Sequence, residues 1–155
     1  MAILSNAAAL ANTPLAVAFT LNVNQTADVA LLGVISGAGT LWKYNTNNLT
    51  LAGTNTLSGN VNLNAGKLTV SNTDSALGTA VLQVSGNGTL AASNSGRRTL
   101  ANSVNLQAGN TLTVDATLSE LALSGALAGD GNLVIAGDGT YVSTLSGGGV
   151  FNGTT

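Results

Sequence analysis

The sequence contains no cysteine, no histidine and a single proline. Without cysteine the chain can form neither disulfide bonds nor thiolate metal sites. Without histidine it lacks the most common metal ligand and a frequent general base. The sequence therefore predicts no bound metal and no cofactor, and its cysteine content leaves the redox compartment of the protein open.

Charged residues make up 6% of the sequence and aromatic residues 3%, whereas about 25% of the residues of a typical globular protein are charged. A net charge of -2 cannot hold a polyanion, so we predict no nucleic-acid partner. No apolar run approaches the roughly 18 residues of a membrane-spanning helix, which predicts a chain that is not embedded in a membrane. Residues 1–11 carry no basic residue ahead of their apolar part, and Asn6 interrupts it, so we predict no signal peptide there.

Short alternations of apolar and polar residues run through the whole chain, and helical spacing of apolar residues is almost absent. Glycine and asparagine separate these alternations, and both tolerate the backbone conformations of tight corners. Strands that bury one face and expose the other are the expected result. The clearest triplets are residues 21–23, 49–51, 61–63, 68–70, 104–106, 112–114, 121–123 and 133–135.

The sequence also repeats internally. Residues 30–41 match residues 122–133 without a gap, and with small drifts at loops the match extends over residues 20–59 and 111–153. Repeated units of this kind stack as a solenoid. At about 20–25 residues per coil, the chain would form roughly six to eight coils. We therefore predict one all-β domain, a β-solenoid that spans residues 1–155.

Several segments resemble the autotransporter passenger-associated strand repeat: residues 35–41 (ISGAGTL), 49–59 (LTLAGTNTLSG) and 64–72 (NAGKLTVSN). Residues 76–80 resemble the link to the next rung of that repeat, and residues 145–155 resemble the start of another copy. The resemblance implies a right-handed parallel β-helix. It also implies a place at the extracellular or outer-membrane surface of a Gram-negative bacterium, as part of a larger exported protein.

The function implied by this resemblance is that of a non-enzymatic passenger segment, a rigid stalk and a scaffold for adhesion or display. Its expected partners are its own neighbouring coils, other copies of itself, and glycans of a host surface or matrix. An alternative follows from the two ends of the chain, which are nearly complementary phases of one repeat. A head-to-tail fibre subunit would use Ile3, Leu4, Val150 and Phe151 at its end-to-end interface.

Two clusters are candidate surface contacts. Trp42 and Tyr44 stand where residues 42–48 depart from the family pattern, and strand alternation places both on one face. They pack at the core or a corner, or they stack on a glycan ring. Arg97 and Arg98 form the only basic pair, which either contacts an acidic sugar or lipid headgroup or keeps an exposed loop in water.

The acidic residues do not point to catalysis. Polysaccharide-cleaving enzymes built on parallel β-helices need clustered aspartates with basic partners, whereas the six acidic residues here are scattered. We therefore predict no catalytic residues and no enzyme. Asp130 and Asp138 lie in Gly-Asp-Gly corners, and two such corners cannot build the repeated array of a calcium-binding glycine repeat. The simpler interpretation is that both are turn residues.

Overall fold

The computed structural model describes residues 2–4, 12–93 and 96–155, with the backbone alone for residues 2–4. Within these residues every regular element is a β-strand, and none is a helix. All strand pairs are parallel, as Leu21 with Leu41 and Leu82 with Val104 illustrate. Residues 5–11, which include most of the segment considered as a signal peptide, lie outside the described residues.

The strands form four parallel sheets. The seven-stranded sheet contains β1 (Ala2–Leu4), β3 (Thr20–Val23), β6 (Thr40–Lys43), β9 (Asn60–Leu63), β11 (Val81–Val84), β14 (Val104–Leu106) and β17 (Leu127–Gly129). The six-stranded sheet contains β4 (Val29–Leu31), β7 (Asn48–Leu51), β10 (Gly66–Val70), β12 (Gly88–Ala92), β15 (Thr111–Asp115) and β18 (Asn132–Ala136). The first three-stranded sheet contains β2 (Leu15–Ala16), β5 (Ile35–Gly37) and β8 (Thr56–Leu57), and the second contains β13 (Arg98–Leu100), β16 (Leu121–Leu123) and β19 (Thr144–Leu145).

Each coil of the chain visits three faces in the same order: a three-stranded sheet, the seven-stranded sheet and the six-stranded sheet. The offset between paired residues varies from 19 residues, for Ala2 with Leu21, to 24 residues, for Gly88 with Leu112. This arrangement is a β-solenoid of about six turns. The prediction of an all-β parallel solenoid is therefore confirmed, with a turn count at the lower end of the predicted range.

Identical positions of successive coils stack in register, which builds aliphatic columns inside the solenoid. In the seven-stranded sheet one column runs through Leu21, Leu41, Val61, Leu82 and Val104, and all five side chains are buried. Burial of one such side chain contributes about 1.5–3 kcal/mol. Because every strand alternates, the residues between these positions face outward and are polar in most coils.

All eight triplets singled out in the sequence lie within strands, so the period-two pattern identified the elements correctly. The 92-residue internal match has a different structural meaning. Residues 35–37 form β5 in the first three-stranded sheet, whereas the matching residues 127–129 form β17 in the seven-stranded sheet. The match relates different faces of the coil, and the repeating unit of the structure is the single coil.

The corners hold the coils close together, and two residue types make this possible. A Cβ atom added at Gly59 would lie 2.2 Å from the carbonyl oxygen of Gly39 in the adjacent coil, so the backbones approach too closely for a side chain. Asn45 adopts a φ of 62°, a left-handed conformation that asparagine tolerates better than most residues. Glycine and asparagine at the corners are thus required by geometry, as the sequence indicated.

A buried asparagine ties three successive coils together. The side chain of Asn55 is buried; its Oδ1 atom accepts a hydrogen bond from the backbone N–H of Ile35 at 2.7 Å. Its Nδ2 atom donates to the carbonyl oxygen of Ala76 at 2.6 Å. Both backbone groups would otherwise lie unpaired in the interior, which costs free energy. Asn55 therefore stabilises the stacking of coils at the corner before the seven-stranded sheet.

Candidate binding trough along the polar corner

One longitudinal corner of the solenoid is rich in amide side chains. It connects the seven-stranded sheet to the six-stranded sheet in every coil, and we call it the polar corner. Its segments are residues 24–28, 44–47, 64–65, 85–87, 107–110, 130–131 and 152–154. Each segment contains asparagine, glutamine or aspartate. Corner positions of successive coils stack one above another, so these polar groups form a continuous edge along the solenoid.

Hydrogen bonds between successive coils order this edge. The Nδ2 atom of Asn45 donates to Oδ1 of Asn24 at 2.7 Å. Further along the corner, the backbone N–H of Thr111 donates to Oδ1 of Asn87 at 2.8 Å, and Nδ2 of Asn152 donates to a carboxylate oxygen of Asp130 at 3.1 Å. The side chains of the polar corner therefore form an ordered surface.

A lysine inside the core supports the corner from within. Lys43 is the last residue of β6, pairs in register with Val23 and Leu63, and its side chain is 0% exposed. Its Nζ atom donates to the carbonyl oxygens of Tyr44 at 2.5 Å and Asn45 at 2.7 Å. Longer hydrogen bonds of 3.3 Å reach Oδ1 of Asn47 and the carbonyl oxygen of Ala65. The aliphatic stem thus lies in the core while the ammonium group binds oxygens of two adjacent coils.

Burial lowers the pKa of Lys43 from 10.5 to about 8, because the interior disfavours its charged form. The negative charge of Asp28 partly offsets this effect. With a pKa near 8, the ammonium group remains protonated at neutral pH and holds the corner in place.

A shallow trough follows the polar corner on the side of the six-stranded sheet. It has two parts, of about 360 Å³ and 450 Å³, and both parts are lined by Thr46. In the larger part Gly66 and Gly88 pair in register, and neither projects a side chain into the space. The remaining lining residues are Gln25, Thr26, Asn45 and Asn47 in the smaller part, and Lys67, Asn87, Thr89, Thr111 and Thr113 in the larger part. The trough surface is therefore made of hydroxyl, amide and backbone groups.

The one charged residue that lines the trough is neutralised by an ion pair. The Nζ atom of Lys67 on β10 lies 2.8 Å from a carboxylate oxygen of Asp115 on β15, two strands away. Partial burial acts to raise the pKa of Asp115, but hydrogen bonds from Lys67 and Thr117 outweigh it and lower the pKa to about 2. Both groups are therefore charged at neutral pH, and their charges cancel.

The two aromatic candidates stand on the face that adjoins the trough. Trp42 and Tyr44 stack with ring centroids 5.6 Å apart and an angle of 5° between the ring planes. Both side chains are partly exposed, and Trp42 pairs in register with Asn22 and Asn62 on the outer face of the seven-stranded sheet. The predicted common face is confirmed. The pair lies outside the core, and Tyr44 directly precedes Asn45 of the trough.

The structure places the arginine candidates elsewhere. Arg97 and Arg98 lie at the start of β13 in the second three-stranded sheet, on a different face from Trp42. Arg97 lies 3.4 Å from a carboxylate oxygen of Glu120, and Arg98 lies 3.9 Å from one of Asp74. Both guanidinium groups thus face acidic residues of adjacent coils and do not form a joint site with the aromatic pair.

The two Gly-Asp-Gly aspartates occupy different corners. Asp130 belongs to the polar corner, whereas Asp138 follows β18 at the next corner of the same coil. Asp138 accepts a hydrogen bond from the backbone N–H of Thr140 at 2.9 Å, and hydrogen bonds from Thr140 lower the pKa of Asp138. This is the geometry of a turn residue. Within the described part of the chain, no three or more acidic residues cluster where they could hold a metal ion.

The four residues proposed for an end-to-end interface lie at opposite ends of the solenoid. Ile3 and Leu4 belong to β1, the first strand of the seven-stranded sheet. At the other end Phe151 pairs with Gly129 of β17 and packs against the core, whereas Val150 is 72% exposed. The placement suits an end-to-end contact through β1 and Phe151.

The sequence interpretation missed Lys43 as a core residue and missed the trough. Alternation offered a signal for the first, because a strand that turns Trp42 and Tyr44 outward turns Lys43 inward. The trough had no comparable signal, since it combines residues from coils that are distant in the sequence.

Comparisons with protein-family models, with curated proteins and with solved structures found no match to the chain. The resemblance to the autotransporter passenger-associated strand repeat therefore stays a prediction. In the part of the chain that the structure describes, no helix has the length and apolar character needed to span a membrane.

Proposed function

We propose that the chain is a non-enzymatic structural segment of an autotransporter-like passenger, displayed at the outer surface of a Gram-negative bacterium, where it acts as a rigid stalk and display scaffold. The observation that supports this proposal most is the unbroken parallel ladder, with seven strands in one sheet and six in the next. Each coil is held by backbone hydrogen bonds to its neighbours and by columns of buried aliphatic side chains. At about 4.8 Å per step, the ladder extends roughly 30 Å.

Surface display tests the proposal. The chain carries an N-terminal epitope tag and is fused ahead of an outer-membrane anchor in a Gram-negative host. We expect the tag to be reachable on intact cells and the segment to resist added protease, because a stacked solenoid offers few open backbone sites. Asn55→Ala, which removes hydrogen bonds between three coils, is the matched control and should be digested faster. A tag that stays inaccessible, or a wild-type segment digested as fast as the control, would contradict the proposal.

The non-enzymatic part of the proposal has its own measurement. Purified chain is incubated with neutral and acidic polysaccharides, and new reducing ends are counted. We expect none above the buffer control, because the residues that line the trough include no acid and base pair. Steady release of reducing ends would establish an enzyme.

A second candidate function, a head-to-tail fibre subunit, is favoured by the C-terminal end of the core. Ile135 continues a column whose preceding members Leu90 and Val114 are buried, yet Ile135 is 47% exposed because no coil covers it. Leu145 likewise ends the column of Leu123 and is 45% exposed. Unpaired strands with apolar side chains promote pairing with another chain.

Electron microscopy and light scattering at increasing protein concentration test the fibre. The wild-type chain should form filaments one solenoid wide, and Ile135→Lys should abolish them by placing a charge at the open end of the core. Leu118→Lys, which changes a comparably exposed residue between β15 and β16, should leave them intact. Monomers at every concentration would eliminate this function.

A further inference from the structure

The hydroxyl groups of the trough are free to bind a ligand. Lys67, Thr89 and Thr113 pair in register on successive strands, so their side chains repeat at about 4.8 Å along the solenoid. No protein group in the described part of the chain hydrogen-bonds the hydroxyls of Thr46, Thr89 or Thr113. A ligand with hydroxyl groups at a similar repeat can bond to several coils at once.

The electrostatics of the trough exclude a strongly charged ligand. The Lys67 ammonium is already paired with Asp115 at 2.8 Å, and the Lys43 ammonium is buried beneath the corner and bonded to oxygens of the protein. An acidic ligand would have to break the ion pair to gain a partner, and a basic ligand would meet no unpaired carboxylate among the residues that line the trough. An uncharged ligand rich in hydroxyl groups fits this surface.

The aromatic pair adds an apolar contact next to the polar ones. Tyr44 directly precedes Asn45 of the trough, and its ring stacks on that of Trp42 at 5.6 Å. The rings remain partly exposed on the outer face, where they can pack against the apolar C–H face of a sugar ring. Hydroxyl, amide and aromatic groups at one site are the combination that binds carbohydrate.

We propose that the trough binds an extended, uncharged polysaccharide that runs along the polar corner, with about one sugar unit per coil. Thr89 and Thr113 bond to its hydroxyl groups, and the aromatic pair holds a sugar ring at the end near Asn45. The proposal rests on the proposed role as a surface scaffold and names the partner class of that scaffold.

Titration calorimetry and amide NMR with hexasaccharides of glucose (cellohexaose), xylose (xylohexaose) and mannose (mannohexaose), and with hexagalacturonate as the charged probe, test the proposal. We expect at least one neutral hexasaccharide to bind and to shift amide signals of the polar corner. Hexagalacturonate should bind at least tenfold more weakly. Absence of binding by all three neutral probes at millimolar concentration, or a preference for the charged probe, would overturn it.

Variants separate specific binding from a general effect on the fold. Thr89→Val combined with Thr113→Val, and separately Trp42→Ala, should each weaken binding about tenfold. Thr56→Val changes an exposed threonine on the first three-stranded sheet and should leave binding unchanged. Far-UV circular dichroism of each variant verifies that it is folded. If every variant binds like the wild type, the trough is not the site. Surface display and protease resistance do not depend on the ligand, so failure of this proposal is distinguishable from failure of the stalk.

Discussion

The buried lysine makes the stability of the solenoid depend on pH in an unusual direction. In the folded chain the pKa of Lys43 is lowered from 10.5 to about 8 by burial. As the pH rises above about 8, the folded state releases this proton while the unfolded state keeps it until about pH 10.5. The folded state then binds fewer protons than the unfolded state, so the free energy of unfolding increases over this range. Below pH 8 both states are protonated, and the gain is absent.

The size of the effect follows from the difference between the two pKa values, which corresponds to about 3 kcal/mol. The variant Lys43→Met keeps a side chain of similar length in the core and removes the titrating group. The free energy of unfolding of the wild type minus that of the variant should therefore rise by about 3 kcal/mol between pH 7 and pH 11. Tyrosines and the other lysine are present in both proteins, so their contributions cancel in this difference.

Urea unfolding followed by circular dichroism at pH 7, 8, 9, 10 and 11 measures this difference. Lys67→Met serves as the control, because it removes a surface ammonium and retains Lys43; it should keep the rise seen in the wild type. A difference between wild type and Lys43→Met that stays constant over the pH range, or that decreases, would refute the buried, desolvated position of Lys43.

Three further changes test the corners and the ion pair. Asn55→Ala should lower the free energy of unfolding by about 2–4 kcal/mol, because two buried backbone groups lose their partners, and the exposed Asn87→Ala should cost less; urea unfolding compares them. Gly59→Ala should destabilise by about 1–3 kcal/mol, because its Cβ would meet a carbonyl oxygen at 2.2 Å, and thermal unfolding measures the loss. The lowered pKa of Asp115 contributes stability that is present above about pH 4 and lost as the pH falls towards 2; Asp115→Asn should remove this acid dependence, about 1–2 kcal/mol after allowance for solvent, and a wild type without it would contradict the ion pair with Lys67.

Local patterns in the sequence predicted the strands and their arrangement well. Triplets such as residues 61–63 and 112–114 alternate because each strand has one face inside and one outside, and this constraint acts on adjacent residues. Repetition of such units then indicates stacking, since no single coil can bury its apolar face alone. The internal match at 92 residues misled in detail, because similar corners recur on all three faces of a coil.

The candidate site could be predicted only in part. Alternation placed Trp42 and Tyr44 on one face, and the stacked rings agree. The trough joins Thr46 to Thr113, and the ion pair joins Lys67 to Asp115, over distances in the sequence that depend on the length of every intervening coil. A change of one residue in any coil would alter which side chains meet, and no local pattern carries that information.

What the sequence determined by itself is the type of structure: short alternating strands, corners of glycine and asparagine, and an interior of leucine and valine, each dictated by neighbouring residues. The tertiary structure alone decided which residues meet across coils, including the four oxygens around Lys43 and the hydroxyl ladder of Thr89 and Thr113. The physical reason is the register of the parallel ladder. Register follows from coil lengths of 19–24 residues summed along the chain, and it exists only once the coils are stacked.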